Sequence, residues 1–405
     1  MKDLHSLRDE FPALKERIHG NPLAYLDNAS TTQKPAAVLE AIRSCYEHGY
    51  SNIHRGVHTL SQRATDAYES VREVVREFLN APSSDEVIFT RGTTESINLV
   101  AQSLGRSTLE KGDEVLITQM EHHSNLVPWQ MLCEQTGAQL RWLPLTEKGE
   151  LDLSELDSLL TEKTKLVALS HVSNSLGTLN PVSQIAKRAH QLGAVVIVDG
   201  AQSAPHQPLD VQALGCDFFA FSGHKVYGPS GVGVLWGRRE LLETMPPWQG
   251  GGDMILSVEF AETTYNDVPY KFEAGTPNIV GVVGLGAALR WMQQVGVEAI
   301  QAHESFLLRE LVARLDAIPS VRRIGTSESQ RGAVSFMYGE IHPHDVGTLL
   351  DYEGVAVRTG HHCTQPVMDY FEIDATVRAS FGAYNTLEDV EQLLRGLDRV
   401  KETFG

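Results

Sequence analysis

The chain is 405 residues long, about two to three domains by length, and its composition, 42% hydrophobic and 21% charged, is that of a soluble globular protein. A formal net charge of −18 disfavours nucleic acid and anionic membrane surfaces as general partners. No apolar run approaches the roughly 20 residues that span a bilayer, and the four cysteines form no CxxC pair, which argues against a disulfide framework or a structural zinc and for a reducing cytoplasm.

The first stretch, MKDLHSLRDEFPAL, carries acids and lacks an apolar signal core, so no secretion signal is expected. Residues 1–20 read as a short amphipathic helix and a turn, a packing arm. Tyr25 to Ser30 is a short strand running into a polar loop, and Pro35 opens a helix. His54-Arg55-Gly56-Val57-His58 precedes another helix, about 61–79; alone, such a loop is ordinary polar surface. From Glu86 the pattern is strand, loop, helix, repeated. Strands are expected at 87–90, 115–119, 140–145, 165–171, 194–198, 217–221 and 233–236. Helices are expected to run on from the turn at 91–95 to about 104, over 126–136 and over 182–192. That alternation argues an α/β fold, a mostly parallel sheet with helices on both faces. The run Gly228-Pro229-Ser230-Gly231-Val232-Gly233 fails the nucleotide-loop pattern and precedes a strand, not a helix. Residues 250–267 read as a long surface loop, followed by helices at about 279–295 and 297–318. The last hundred residues mix strands at 333–338, 355–358 and 377–380 with helices at 344–352 and 386–403, a smaller α+β unit.

The chemistry gathers where strands end. The stretch from Ala194 to Lys225 holds two apolar strands, one closing on Asp199 and the other on Ser222-Gly223-His224-Lys225. As neighbours they bring an acid and a lysine to one sheet edge, outside the carboxyl ends, where ligands bind in open α/β sheets. Pyridoxal phosphate (PLP) needs this pair: a lysine for the Schiff base and a carboxylate on the pyridinium nitrogen. Arg91-Gly92-Thr93-Thr94-Glu95 is a turn at a helix start, offering N–H groups and hydroxyls to an anion, although Thr is also a plain N-cap. His122, in Met120-Glu121-His122-His123-Ser124-Asn125, is either a satisfied loop histidine or one that stacks on an aromatic cofactor and moves protons. Asn174, in the loop after strand 165–171, is suited to hydrogen-bond a ring substituent.

Arg358-Thr359-Gly360-His361-His362-Cys363 closes a strand of the smaller unit. A cysteine beside histidines and an arginine is in surroundings that stabilise thiolate. Adjacent residues of an extended segment point in alternate directions, so these three ligand types do not share one ion and no metal site is expected. Cys45, Cys133 and Cys216 fall in apolar patterns and read as buried and inert. Arg378 ends a strand, where it grips a substrate carboxylate or closes a structural ion pair. A PLP lysine and an exposed cysteine divide the labour: the cofactor withdraws electrons from an amino acid's Cα, and the thiolate attacks what Cβ carries. If that atom is sulfur, the product is an enzyme persulfide.

The motifs LDNASTTQKP, RGTTESINLVA, MEHHSNLVPWQ, HVSNSLGT, VDGAQSAPH, FSGHKVYGPSGVGVLWG, FEAGTPN, VRTGHHCTQP and RASFGAYNT run in order along the chain. Over nearly its whole length it resembles the cysteine desulfurases of the SufS/CsdA type, the second group of that family. The resemblance implies a fold-type I PLP-dependent transferase (aspartate-aminotransferase-like) and a cytoplasmic homodimer. It implies an arm at 1–24, a large PLP-binding domain at 25–290 and a small domain at 291–405. It implies conversion of L-cysteine to L-alanine, with sulfur passed to a SufE- or SufU-like acceptor for iron–sulfur cluster assembly. By the same resemblance Lys225 holds PLP and moves the Cα proton, Asp199 pairs with the pyridine nitrogen and Gln202 reaches the ring hydroxyl. His122 stacks on the ring. Thr93, Thr94, Ser222 and His224 bind the phosphate, with Thr276 from the other subunit. Asn174, Arg358 and Arg378 hold substrate, and Cys363 accepts sulfur. Ser30 and Thr364 stand where relatives often carry Ala. A selenocysteine lyase or aminotransferase of the same fold is one alternative. A sulfur-carrier scaffold without turnover is another, disfavoured because a scaffold needs neither Lys225 nor Asp199.

Overall fold

The structure is a computed structural model and describes residues 4–404. Its centre is a seven-stranded sheet of β1 (Val87–Thr90), β2 (Glu114–Thr118), β3 (Gln139–Leu143), β4 (Thr164–Ser170), β5 (Val195–Asp199), β6 (Phe218–Ser222) and β7 (Gly233–Gly237). The spatial order is β1-β7-β6-β5-β4-β2-β3, and only β7 runs antiparallel to its neighbours. Helices α1 (Thr59–Leu79), α2 (Thr93–Val100), α3 (Val127–Thr136), α4 (Val182–Gln191) and α5 (Ile279–Val295) sandwich it.

The sheet has two dry faces because its strands are apolar at both parities. In β6, Phe219 and Phe221 enter one core with Val71, Val75 and Phe78 of α1 and Leu285 and Leu289 of α5. Phe218 and Ala220 enter the other, with Ile97 of α2 and Trp129 and Leu132 of α3. Truncating one of these rings to Ala would cost about 3–5 kcal/mol. The alternation expected from the sequence is therefore what builds the fold, and the α/β, fold-type I architecture stands.

A second sheet of β8 (Val321–Ile324), β9 (Ala333–Tyr338), β10 (Arg358–Gly360) and β11 (Thr376–Ser380) is antiparallel, in the order β8-β9-β11-β10. Leu307, Leu308, Leu311 and Leu315 of α6 (Val297–Asp316) and Leu393 and Leu397 of α7 (Leu387–Phe404) close its core. Residues 24–26 join this second unit. Ala24–Tyr25 pairs parallel with Val355–Ala356, Leu26 lies in the same core, and Asp27 bridges Ser380.

Three local expectations are corrected. The amphipathic helix expected in residues 1–20 is two 3-10 turns, Leu4–Glu10 and Pro12–Lys15; residues 1–3 lie outside the described part. Pro12 forces Phe11 out of helical geometry, to φ −108 and ψ 97. The loop expected over 250–267 contains an antiparallel hairpin, Ile255–Val258 with Thr263–Tyr265. Its apolar residues Leu256, Val258 and Phe260 are exposed, so no buried-face alternation announced it. The single strand expected at 355–358 is two short strands, because Val355–Ala356 and Arg358–Gly360 pair with different partners.

Candidate active site

Strands β1, β2, β4, β5 and β6 end at one edge of the large sheet, and the loops that leave them line one cavity. Its walls are Thr93 and Thr94 after β1, His122 and Ser124 after β2, and Ser170 and Asn174 at the end of β4. Asp199, Gln202, Ser222, His224 and Lys225 follow from β5 and β6, and Ser30, Arg358, His362, Cys363 and Arg378 complete the opposite side.

Asp199 sits in register with Ser170 of β4 and Ala220 of β6. Its carboxyl is buried, and Oδ1 accepts the Ala201 N–H at 2.9 Å. Burial pushes its pKa up, against the pull of that N–H and of Lys225. Lys225 ends the short turn Gly223–Lys225 that follows β6. Burial lowers its pKa to about 8; Asp199 opposes the shift, and Arg378 and Arg358 add to it. The turn is pinned from outside, because the His224 carbonyl accepts from Thr31 Oγ1 (3.0 Å), the Thr32 N–H (3.1 Å) and Lys34 Nζ (2.9 Å).

The neighbouring corner could hold an anion. Gly92 takes φ +154, a conformation that favours glycine, and the start of α2 follows it. Gly233 of β7 packs so closely on Gly92 that a Cβ there would lie 2.4 Å from the Gly92 Cα. Ser222 Oγ takes the Thr93 N–H at 2.9 Å and lies 2.8 Å from Thr93 Oγ1. Hydroxyls of Thr93, Thr94 and Ser222 thus meet at a helix N-terminus, beside His224, whose pKa burial lowers to about 4.

His122 follows Glu121, whose buried carboxyl takes Thr118 Oγ1 at 2.5 Å, Asn125 Nδ2 at 2.6 Å and the Ser170 N–H at 3.0 Å. This ties the histidine loop to β4. The Ser124 N–H donates to His122 Nδ1 at 3.0 Å, so that nitrogen is the acceptor and the ring proton sits on Nε2. Burial, helped by the charge on Lys225, lowers the His122 pKa to about 3, leaving a neutral ring.

Across the cavity, Arg358 and Arg378 face each other as register partners of β10 and β11. Arg378 is buried; its Nη1 donates to the Asn174 carbonyl at 2.8 Å and its Nη2 reaches Asp27 Oδ1 at 3.2 Å. Burial lowers its pKa to about 10, so it stays charged. Its Nε–H has no partner among the described residues. An arginine with a spare donor at a cavity wall suits a carboxylate.

Cys363 lies on a loop where His362 and Cys363 both have left-handed backbone, φ +52 and +58. The His361 Nδ1 accepts the Cys363 N–H at 3.2 Å, and Asn174 Nδ2 donates to the His362 carbonyl at 2.7 Å. His362 is buried, close to Thr376 Oγ1 at 2.8 Å, and burial lowers its pKa to about 2. Burial raises the thiol pKa of Cys45, of Cys133 (to about 11) and of Cys216. Cys363 is the cysteine at the cavity.

Twelve of the thirteen expected site residues therefore line this cavity: Thr93, Thr94, His122, Asn174, Asp199, Gln202, Ser222, His224, Lys225, Arg358, Cys363 and Arg378. Thr276 does not; it borders a separate hollow with Arg91, Gly231 and Asn278. Gln202 Nε2 is spent on the Ala29 carbonyl at 2.7 Å, and the Asn174 amide nitrogen on the cysteine loop. Sequence reasoning gave no role to Asp27, Glu121 or Ser124, which hold Arg378 and His122 in place. The signal for Ser124 was present as the spacing His122-x-Ser124.

The class-V aminotransferase family model matches residues 24–393. The chain is 51% identical over 401 residues to a probable cysteine desulfurase from Halalkalibacterium halodurans, covering 99% of this chain and 98% of that relative. It superposes on the cysteine desulfurase CsdA (S-sulfonic acid) from Escherichia coli with a TM-score of 0.91 and 42% identity, covering 100% of this chain and 99% of that one. A C-DES mutant with glycine covalently linked to its PLP cofactor gives a TM-score of 0.82 at 26% identity, over 96% of this chain and 99% of that one. With Lys225 and the buried Asp199 lining one cavity with a loop thiol, the chain belongs to the class-V aminotransferases and, within them, to the cysteine desulfurases.

Proposed function

We propose that the chain binds PLP in this cavity and converts L-cysteine to L-alanine, leaving the sulfur as a persulfide on Cys363. The single observation that carries the reading is one cavity lined by Lys225, Asp199 and Cys363 together. The donor set fits the cofactor. The α2 N-terminus with Thr93, Thr94, Ser222 and His224 suits a phosphate, with Thr276 lent by a second subunit, and Asp199 suits a protonated ring nitrogen. Gln202 suits the ring hydroxyl. When bound, PLP supplies the electron sink that loosens the substrate's Cα–H and Cβ–S bonds.

The chain's own groups do the rest. Lys225, with its lowered pKa, holds the cofactor through its amine and, once displaced by substrate, takes the proton from Cα. Neutral His122 packs against the ring and carries a movable proton on Nε2. Arg378 and Arg358 hold the α-carboxylate, beside Asn174. Cys363 receives the sulfur: an S–S bond forms as the substrate's Cβ–S bond breaks, and Cβ takes up a proton to give L-alanine. The anchored loop keeps that persulfide close to the cavity, so a thiol-bearing acceptor of the SufE or SufU kind comes to it, feeding iron–sulfur cluster assembly. The large-sheet unit acts as the cofactor lobe and the second unit, which residues 24–26 join, as the lobe that brings the thiol, in a homodimer. All four cysteines are free, in keeping with a cytoplasmic setting. No helix among the described residues is long and apolar enough to cross a membrane.

Cys363→Ala tests this. The variant should keep the visible absorbance of bound PLP and lose L-alanine formation from L-cysteine by at least about a hundredfold. Full turnover in that variant would remove the nucleophile from the scheme.

A further inference from the structure

Ser30 joins the two cavity arginines through one oxygen. Its Oγ accepts from Arg358 Nη1 at 3.0 Å and from Arg378 Nη2 at 2.8 Å, and donates to Asp27 Oδ1 at 2.6 Å. A hydroxyl has one donor and two acceptor sites, so all three are used. The arginines are cross-strand partners of like charge, an arrangement that by itself pushes the heads apart. Arg378 has other anchors in Asp27 and the Asn174 carbonyl. Arg358 is exposed, and among the described residues no other hydrogen bond or ion pair fixes its guanidinium.

We propose that Ser30 is a positioning residue for the substrate's α-carboxylate: its hydroxyl gathers Arg358 and Arg378 and presents both to one anion. The proposal rests on the reading above that these arginines hold substrate. Without the hydroxyl, Arg358 returns to its many rotamers, and ordering it again opposes binding. The loss falls on ligands that carry a carboxylate. Bond making at the substrate sulfur, at the other end of the ligand, is left alone.

The experiment uses the PLP-loaded enzyme and two probes that differ only by a carboxylate, L-alanine and ethylamine, each titrated by the change in cofactor absorbance. In Ser30→Ala the L-alanine Kd and the KM for L-cysteine should rise about tenfold, as for loss of hydrogen bonds to charged groups. The ethylamine Kd should stay within about twofold and kcat should fall less than KM rises. Ser30→Thr, which keeps the hydroxyl, should stay near the parent enzyme. Arg378→Lys is the control on the underlying reading. If Arg378→Lys weakens L-alanine and Ser30→Ala does not, the arginines hold the carboxylate without help from Ser30 and the proposal fails alone. If Arg378→Lys changes nothing, the carboxylate reading fails and takes the proposal with it. Equal weakening of both probes in Ser30→Ala would make the residue a general structural support, and would also overturn the proposal.

Discussion

The backbone N–H of His123 donates to the carbonyl of Cys363 at 2.8 Å. One hydrogen bond thus ties the loop after β2, which carries His122, to the loop that carries the thiol. Asn174 holds the same loop one residue earlier, through the His362 carbonyl, and His362 anchors it from below on Thr376. Two successive left-handed residues are an expensive conformation, and they persist where surroundings over-determine them. The thiol is therefore held by a fixed loop, and reach is exchanged for placement.

Asn174→Ala removes the anchor from the His362 carbonyl without touching the Asn174 carbonyl that takes Arg378. Misplacing a reacting atom by even an ångström costs rate steeply, so persulfide formation on Cys363 should slow about ten- to a hundredfold. PLP uptake, which depends on Lys225, Asp199 and the Thr93–Ser222 corner, should persist. Single-turnover L-alanine release with L-cysteine, beside an absorbance titration with PLP, measures the two separately. Equal loss of both would mean that Asn174 supports the cofactor instead of the loop.

Lys225 gives a pH dependence with a definite sign. Burial, against the pull of Asp199, lowers its pKa from the ordinary 10.5 to about 8. The amine is charged below that value and free above it, and only the free amine attacks an aldehyde. Uptake of PLP by the cofactor-free protein should accelerate with pH, about tenfold per unit below pH 8, and level off above it. The folded chain also binds fewer protons than the unfolded one between pH 8 and 10.5 at this site, so the cofactor-free protein gains stability with rising pH in that window. Stopped-flow absorbance across pH 6–10 reads the first effect; a flat profile would contradict a lysine with a lowered pKa. Lys225→Ala should abolish stable uptake at every pH.

Much of this site is legible in the sequence because its parts are contiguous. Asp199 and Lys225 each close an apolar strand, Gly92-Thr93-Thr94 opens a helix, and Cys363 follows a strand of the second unit. Each is legible from its own few neighbours. What the sequence hid are contacts between distant stretches. Ser30 meets its arginines 328 and 348 positions away. Asp27 and Ser30 look like loop residues until β11 brings Arg378 beside them. The exposed hairpin at Ile255–Tyr265 was missed for the opposite reason: its apolar side chains face outward, so the rule that buries one face of a strand gave no signal. Thr276, expected only from the resemblance, borders another hollow of the same chain, apart from the cavity.

A buried polar pair between the two units carries the last prediction. His206, in the loop after β5, has its Nδ1 2.7 Å from Glu304 Oε2 on α6, and both side chains are 2% exposed. Glu304 also accepts from the hydroxyl of Tyr227 at 3.4 Å, and that hydroxyl takes the Ala383 N–H at 2.9 Å. Tyr227 stands two residues beyond Lys225 in left-handed backbone, φ +63, so this cluster also steadies the turn that presents the amine. Gly332 of the second unit fits flush against the His206 ring; a Cβ there would fall 2.5 Å from its Nε2. Removing one member of a buried pair strands the other in low dielectric, at a cost of about 3–5 kcal/mol, whereas replacing both with apolar side chains is far less damaging. His206→Ala and Glu304→Ala should each lower the denaturant midpoint strongly, and the double variant should be clearly less unstable than the sum of the two. Simple additivity in that cycle would show that the pair is two independent polar groups that happen to be near each other, and would overturn its coupling across the two units.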